Sequence, residues 1–345
     1  MLLLRHSEIV GLLTPAEVIA AARGGLQEQS QGQVQVPPRT TVDSAAGYGW
    51  LRLMPAILNG SKIMGFKAMH STTGVGVGYI IALYDQPSGT LLAQLDADWI
   101  TSQRTAATAA VSVDELAAAE ISQVGVIGSS EQARAMLTAV AQVRKLSQVN
   151  VFSPTEANRK RFAEEMGADL DLNIKPVESP ELAVKGCDLV LSVYRAGAQP
   201  VISSDWLEPG THLCSVSAVR PMAREIEDDV WTKSTLVVLD DKEHVFESGD
   251  GISALKSQAI RKEDTCELWE IVGKRRPGRK QASDITLYKA VGYALQDLAV
   301  AKAVYDRAVS LGIGNDAGEF PHLRGSKQTT ELKKDGTPQR DRKLA

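Results

Sequence analysis

The chain has 345 residues, 43% of them apolar, and a net charge of −4. That length suits about two domains with a sizeable core, and the charge leaves no basic footprint for nucleic acid or an anionic membrane surface. No apolar run approaches the roughly 18 residues of a membrane helix, the opening MLLLRHSEIV is too short an apolar stretch for a signal peptide, and the scattered Cys187, Cys214 and Cys266 are expected as buried reduced thiols of a cytoplasmic protein, not as metal ligands.

In chain order, Pro15 to Gln31 reads as a helix, and Pro37-Pro38-Arg39 opens a strand-rich region. WLRLMPAIL and KIMGFKAMH read as strands, and a glycine-rich bend follows from Gly74 to Gly78. YIIALYD and TLLAQLD flank Pro87-Ser88-Gly89 as a hairpin. From Trp99 to Ala119 the pattern is helical and alanine-rich, with Asp96 and Asp98 placed to cap it. Strand and helix then alternate. VGVIG leads to a helix ending near Val143, VNVFS to a helix from Thr155 to about Met166, and a short strand near Val177 to a helix around Leu182. DLVLSV, HLCSVS and LVVLD are further strands. This rhythm predicts an α/β fold with a mostly parallel, doubly wound sheet covered on both faces. Residues 282–312 are expected to form one long amphipathic helix, broken near Gly292, that returns to the first domain. The polar stretch from Pro321 is expected to be a disordered, solvated tail.

The stretch QVGVIGSSEQA, Gln123 to Ala133, joins a strand to a helix through a glycine turn. A helix start of this kind offers free backbone N–H groups to a pyrophosphate. Gly128 and Ala133 fit the G-x-G-x-x-G/A pattern, but Ser130 stands where the middle glycine belongs, and a lone imperfect match is weak. After the second strand, where an acid would accept from an adenosine 2′-hydroxyl, the chain has Ser153-Pro154-Thr155. Ser153 and Thr155, with Arg159 one turn on, lean toward a 2′-phosphate and thus NADP. In the first half, Arg39, Lys67 and Arg104 are basic residues among small and apolar neighbours. Such charges are costly unless paired, and an anionic ligand gripped by arginine is one way to pair them.

The ordered phrases PPRT, LRLMPA, a lysine before a glycine-rich bend, ITSQRTAATAA, VGVIGSSEQA and ITLYKAVGYALQDLA resemble the ornithine cyclodeaminase/μ-crystallin family over roughly residues 1–315. The resemblance implies a homodimer of two-domain chains. A substrate-binding and dimerisation domain of α+β type would span residues 1–115 plus 295–320, and a Rossmann dinucleotide-binding domain residues 116–294, with 321–345 as the tail. It implies that Arg39, Lys67 and Val291 lie at the substrate, with Lys67 as the candidate catalytic proton donor. NADP(H) or NAD(H) would be held by Arg104 and Thr105 at a phosphate, by Gly128, Ser129, Ser130, Glu131, Gln132 and Ala133 in the turn, by Ser153 and Thr155, and by Val216, Ser217 and Ala218.

The chain departs from the cyclodeaminases. Their catalytic aspartate, two residues before a proline, falls on Val219 when that proline is aligned with Pro221, and their loop lysine falls on Ala223. Valine cannot transfer a proton. The loop resembles instead that of μ-crystallin-type ketimine reductases, with Arg220-Pro221 and Arg224-Glu225 kept. The expectation is an oxidoreductase acting on the C=N bond of a small α-imino acid, such as 1-pyrroline-2-carboxylate or 1-piperideine-2-carboxylate. A cyclodeaminase, an amino-acid or opine-type dehydrogenase, and a non-catalytic NADPH-dependent ligand-binding protein are the alternatives. No metal is expected. His70 is expected as a locally satisfied histidine, Asp297 as the partner of a buried base, and Glu243, His244 and Glu247 as a solvated loop or helix start.

Overall fold

The computed structural model describes residues 1–194, 197–318 and 320–321, so the expected tail lies outside the described residues from residue 322 onward. Two eight-stranded sheets organise the chain. In the first, the strands run Asn315–Asp316, Leu2–Leu4, Leu91–Asp96, Gly76–Asp85, Ile63–Thr72, Gly49–Leu58 and Val34–Gln35, and Thr40–Asp43 also pairs with Gly49–Leu58. The pairing is antiparallel except where Leu2–Leu4 meets Leu91–Asp96. Alternation sends Met54, Ala56 and Leu58 inward on one strand and Ile63 and Lys67 inward on the next. That inner face packs on the helix Ala294–Leu311, which in turn meets the helices Pro15–Ser30 and Asp98–Leu116. The alanines of Asp98–Leu116, buried at 106, 107, 109 and 110, let neighbouring backbones come close. Asp96 accepts from the Asp98 N–H at 3.1 Å and so caps this helix from outside it.

The outer face of the first sheet is apolar and open. Leu51, Leu53 and Ile80 are exposed, and Pro55, Ile57, Met64, Phe66 and Tyr84 line a shallow groove beside them.

The second sheet is parallel throughout, in the order Asn173–Pro176, Gln148–Phe152, Gln123–Ile127, Leu189–Ser192, His212–Ser215, Thr286–Lys289, Leu236–Leu239 and Cys266–Glu267. Chain order reverses between Gln123–Ile127 and Leu189–Ser192, the switch point where ligands of such sheets bind. One expectation is corrected here. Residues 282–312 do not form a single helix: Thr286–Lys289 is a strand inserted into the sheet, Gly292 turns the chain at φ +79°, and the helix begins only at Ala294. Thr286, Leu287, Tyr288 and Lys289 are all buried, and a strand buried on both faces has the same continuous apolar signature as a buried helix.

Candidate active site

At the switch point a cleft of about 920 Å³ opens. Of the residues expected to hold a dinucleotide, Gly128, Ser129, Ser130, Glu131, Gln132, Ser153, Val216 and Ser217 line it. Gly128 adopts φ +118°, and a Cβ there would stand 2.6 Å from the Val193 carbonyl oxygen, so only glycine fits. Ser130 is the N-cap of the helix Glu131–Val140 and accepts from the Ala133 N–H at 3.4 Å. The side chain that replaces the middle glycine thus serves the helix start. At the far end Ser129 Oγ donates to Ser153 Oγ at 2.9 Å, and Arg159 Nη1 donates to the Ser153 carbonyl at 3.2 Å. Thr155 is the N-cap of Glu156–Leu170, with no bond from its side chain to that helix start. Ala133 and Ala218 are buried behind the cleft. The tight glycine, the helix start and the absence of an acid at 153–155 together fit a dinucleotide with or without a 2′-phosphate.

The second part of the site is a buried cluster of charge between the two sheets. Lys67 is buried on the strand Ile63–Thr72. Its Nζ donates to Asp297 Oδ1 at 2.8 Å, and Arg104 Nε lies 3.0 Å from the same oxygen. Arg104 Nη1 also donates to Gln296 Oε1 at 2.5 Å. Two cations therefore share one carboxylate. Burial pushes the Lys67 amine down to about 8; Asp297 opposes that shift, while Arg104 and Arg52 add to it. Arg104, expected at a cofactor phosphate, turns its guanidinium toward Asp297 and Gln296 beside Lys67 and is not part of the cleft lining. Thr105 spends its hydroxyl proton on the Thr101 carbonyl at 2.8 Å.

A turn from the second sheet closes over this cluster. Asp240 ends the strand Leu236–Leu239 and is buried; it accepts from the Gly292 N–H at 2.6 Å and the Val291 N–H at 3.1 Å. Burial, with Asp241 next to it, raises the Asp240 carboxyl to about 6. Gly292 lies against Arg104: a Cβ there would come within 2.4 Å of Arg104 Nη1. Val291 is buried in the apolar cluster that also holds Val219 and Tyr194. His244, expected in a solvated segment, is instead buried, and its Nε2 accepts from the Arg39 N–H at 3.2 Å, tying Arg39 to the other sheet. Its Nδ1 lies 3.1 Å from Asp241 Oδ2. Glu247 acts on Arg39 through its charge, together with Asp240 and Asp241. His70 is exposed, away from the site.

Residues that sequence reasoning did not single out complete the arrangement. Arg52 shares the inner face with Lys67, because Met54 pairs with Lys67 and Arg52 lies two residues from Met54. Glu225 is buried and accepts from Ser192 Oγ at 2.6 Å, from the Ser217 N–H at 3.2 Å, and from Ser215. Lys289 Nζ lies 3.2 Å from Glu225 and 2.8 Å from Asp250. This network fixes the loop that brings Val216, Ser217, Val219 and Arg220 to the cleft. The parity of Arg52 with Met54 was visible in the sequence; the long-range partners of Asp240, His244 and Glu225 carried no local signal.

The model of the ornithine cyclodeaminase/mu-crystallin family matches residues 1–312. An alanine dehydrogenase of Archaeoglobus fulgidus is 30% identical over 324 residues, covering 91% of this chain and 97% of its own. The ketimine reductase mu-crystallin of Mus musculus is 30% identical over 307 residues, covering 87% of this chain and 93% of its own. Among solved structures, the Thermococcus litoralis Delta(1)-pyrroline-2-carboxylate reductase in complex with NADH and L-proline matches with a TM-score of 0.86 at 34% identity, over 92% of this chain and 100% of that one. An archaeal alanine dehydrogenase dimer with bound NAD matches with a TM-score of 0.85 at 28% identity, over 91% and 98%.

Proposed function

The chain belongs to the ornithine cyclodeaminase/mu-crystallin family, and we propose that it is an NAD(P)H-dependent reductase that converts the C=N bond of a small α-imino acid to CH–NH. The observation that carries this reading is the buried Lys67–Asp297–Arg104 cluster, with its surplus cation, in a chain that also forms a cleft suited to a dinucleotide. The turn Gly128 to Gln132, Ser153 and the loop Val216-Ser217 would hold NADH or NADPH, which supplies a hydride when bound. Arg39, Lys67 and Arg104 supply the positive potential that holds the substrate carboxylate, and Val291 packs at its side. Lys67 carries the proton that the imine nitrogen takes up as the imine carbon receives the hydride. An amine with a pKa of about 8 is mostly protonated near neutrality and gives up its proton more readily than an ordinary lysine.

Val219 supports a reductase over a cyclodeaminase. It lines the cleft among Val193 and Tyr194 and leaves no carboxylate on that loop to take a proton. The first sheet with the helix Ala294–Leu311 is the substrate and dimerisation unit, and the parallel sheet is the dinucleotide unit. The exposed apolar face around Leu51, Leu53 and Ile80 supports a homodimer formed there. No helix among the described residues is long and apolar enough to cross a membrane. Cys187, Cys214 and Cys266 are buried and free, with thiols pushed up to about 12, 12 and 11 by burial, which supports a reducing, cytoplasmic setting.

The test is to follow reduced-cofactor absorbance with NADH and NADPH against a panel of cyclic and acyclic α-imino acids. Oxidation with at least one imine is expected. No oxidation with any of them, together with ammonia release from ornithine or lysine, overturns the reading.

A further inference from the structure

An unbroken line of polar contacts runs from Asp240, at the end of Leu236–Leu239, to Lys67 on the first sheet, and Gln296 is its middle link. Asp240 Oδ2 accepts from the Gly292 N–H at 2.6 Å and from Gln296 Nε2 at 3.5 Å. Gln296 Oε1 accepts from Arg104 Nη1 at 2.5 Å. Arg104 Nε lies 3.0 Å from Asp297 Oδ1, and that oxygen accepts from Lys67 Nζ at 2.8 Å. Gln296 and Asp297 are consecutive in the first turn of Ala294–Leu311, and each takes a different nitrogen of one guanidinium. Gln296 is buried, with 3% of its surface exposed. A buried amide is costly unless it is bonded, and this one is bonded at both ends. Its oxygen meets a cation and its NH2 group an anion, so the charges on either side hold it in one orientation. Turned over, it would set oxygen against oxygen and N–H against N–H. A methionine would fill nearly the same space without that cost, so packing does not account for an amide here.

The charged groups that face Asp240 are Asp241 beside it, Arg104 from the helix Asp98–Leu116, and Arg39 from the segment before Thr40–Asp43. Tyr288, Tyr293 and Cys214 face it too, and burial raises all three, so they stay neutral. The charged groups that face Lys67 are Asp297, Arg104 and Arg52, and the centroid of the Tyr79 ring lies 5.9 Å from its Nζ. Arg104 belongs to both sets. A proton added to Asp240 removes the anion that orients the amide and leaves Arg104 less compensated. Arg104, beside Lys67, then opposes the charge of the lysine more strongly. Hydrogen bonds in such a chain polarise one another, and by linkage a proton on Lys67 disfavours one on Asp240 to the same extent.

Resting on the reading of Lys67 as the proton donor of an imine reductase, we propose that Gln296 is a positioning residue that couples the charge of Asp240 to Lys67, through Arg104, across the seam between the two sheets. Gln296 acts on the guanidinium and gives no proton to the reacting bond. With Asp240 ionised, Lys67 keeps its proton more firmly; with Asp240 neutral, it holds that proton less firmly.

The experiment titrates the Lys67 amine directly, by NMR of the full chain carrying an isotopic label at lysine Cε, with the Lys67 signal identified by its loss in K67R. Four proteins are compared: native, D240N, Q296M and the double variant. D240N is expected to lower the Lys67 midpoint, about 8 in the native protein, by about half a unit or more. Once Q296M has removed the bridge, D240N should lower it by less than about a fifth of a unit, as for two sites that no longer interact. A glutamine with a merely structural role would lower Tm in Q296M and leave the response to D240N unchanged. A shift of equal size in both backgrounds, or none in either, overturns the proposal. Q296N, whose amide is one methylene too short to span both partners, makes the same test if Q296M does not fold. The alkaline limb of kcat should follow the same pattern with any imine that the enzyme reduces. Because the titration needs no turnover, the two readings separate. Coupling without reduction of any imine sinks the reductase reading and keeps the bridge; reduction without coupling sinks the bridge alone.

Discussion

Replacing Asp297 by asparagine removes one negative charge and almost no volume from a fully buried position. The carboxylate lies 2.8 Å from Lys67 Nζ and 3.0 Å from Arg104 Nε, so the variant leaves two buried cations facing each other. Removing one partner of a buried ion pair costs about 3–5 kcal/mol. The protein can recover part of that by letting Lys67 lose its proton. Its pKa is already down at about 8 even with Asp297 supporting the charge. Each further unit takes about 1.4 kcal/mol, so a fall below 7 lies well inside the available cost. In D297N the amine is therefore neutral at pH 7 and cannot donate. We expect kcat at pH 7 to fall by about tenfold or more, with the alkaline limb of the pH profile moved from near 8 to below 7. We also expect a stability loss of about 3 kcal/mol, a drop in Tm of roughly 6–12 °C for a cooperative unit of this size. The sign can be checked. A lysine whose folded pKa lies below its unfolded value is penalised while charged, so its contribution to stability rises with pH between about 8 and 10.5 in the native protein. In D297N that window opens at a lower pH, so the melting deficit against the native protein should shrink from pH 7 to pH 9. A variant with kcat within about twofold of native and a limb still near 8 would refute the pairing of Lys67 with Asp297 as the proton source.

Further outcomes are expected elsewhere in the site. Gly128→Ala pushes a methyl against the Val193 carbonyl at a positive φ, so NADH and NADPH affinity, read by fluorescence titration, should weaken by about tenfold or more, and unchanged affinity would exclude the turn as the dinucleotide cradle. Asp240 should give the acid limb near pH 6, because a protonated carboxyl no longer accepts from both Val291 and Gly292; Asp240→Asn should abolish that limb. Because its folded pKa is raised, the same group favours folding toward lower pH, so activity should fall below pH 6 while its own contribution to stability rises down to about 4. Leu53→Glu, on the open apolar face, should convert a dimer into a monomer in light scattering at micromolar concentration, with cofactor affinity kept; a dimer that persists would place the interface elsewhere.

Most of the fold was legible because its signals are local. The glycine turn, the hairpin at Pro87-Ser88-Gly89 and the alternation of short apolar strands with helices each depend on a few adjacent residues. The segment ITLYKAVGYALQDLA shows where that fails. Its apolar content satisfied a helix and a doubly buried strand equally, and only the neighbouring strands His212–Ser215 and Leu236–Leu239, on either side of Thr286–Lys289, decide between them. The site divides in the same way. Lys67 and Arg104 were conspicuous as charges among apolar and small residues, and Asp297 was expected to meet a buried base. That Arg104 meets Asp297, across 193 residues of chain, carried no local signal. Asp240 closed the expected strand LVVLD, and His244 sat in a charged stretch that reads as solvated. Both meet distant partners, Asp240 the Gly292 N–H and His244 the Arg39 N–H.

The position of the loop that carries Val219 bears on the chemistry as much as its composition does. Glu225 pins that loop through the Ser217 N–H and through Ser192, Ser215 and Lys289, all on strands of the parallel sheet or directly after them. A loop held this way cannot easily swing a distant acid into the cleft, where Val219 stands beside Val193, Tyr194 and Val216. A cyclodeaminase must take protons from an amine as well as return them, and that calls for a base of carboxylate type beside the cleft. Imine reduction needs a single proton delivered to nitrogen. On the proposed reading Lys67, low in pKa and held by Asp297, delivers that proton, and Asp297, which accepts the Lys67 bond, does not return one. On that reading Lys67 is reprotonated from solvent once product leaves.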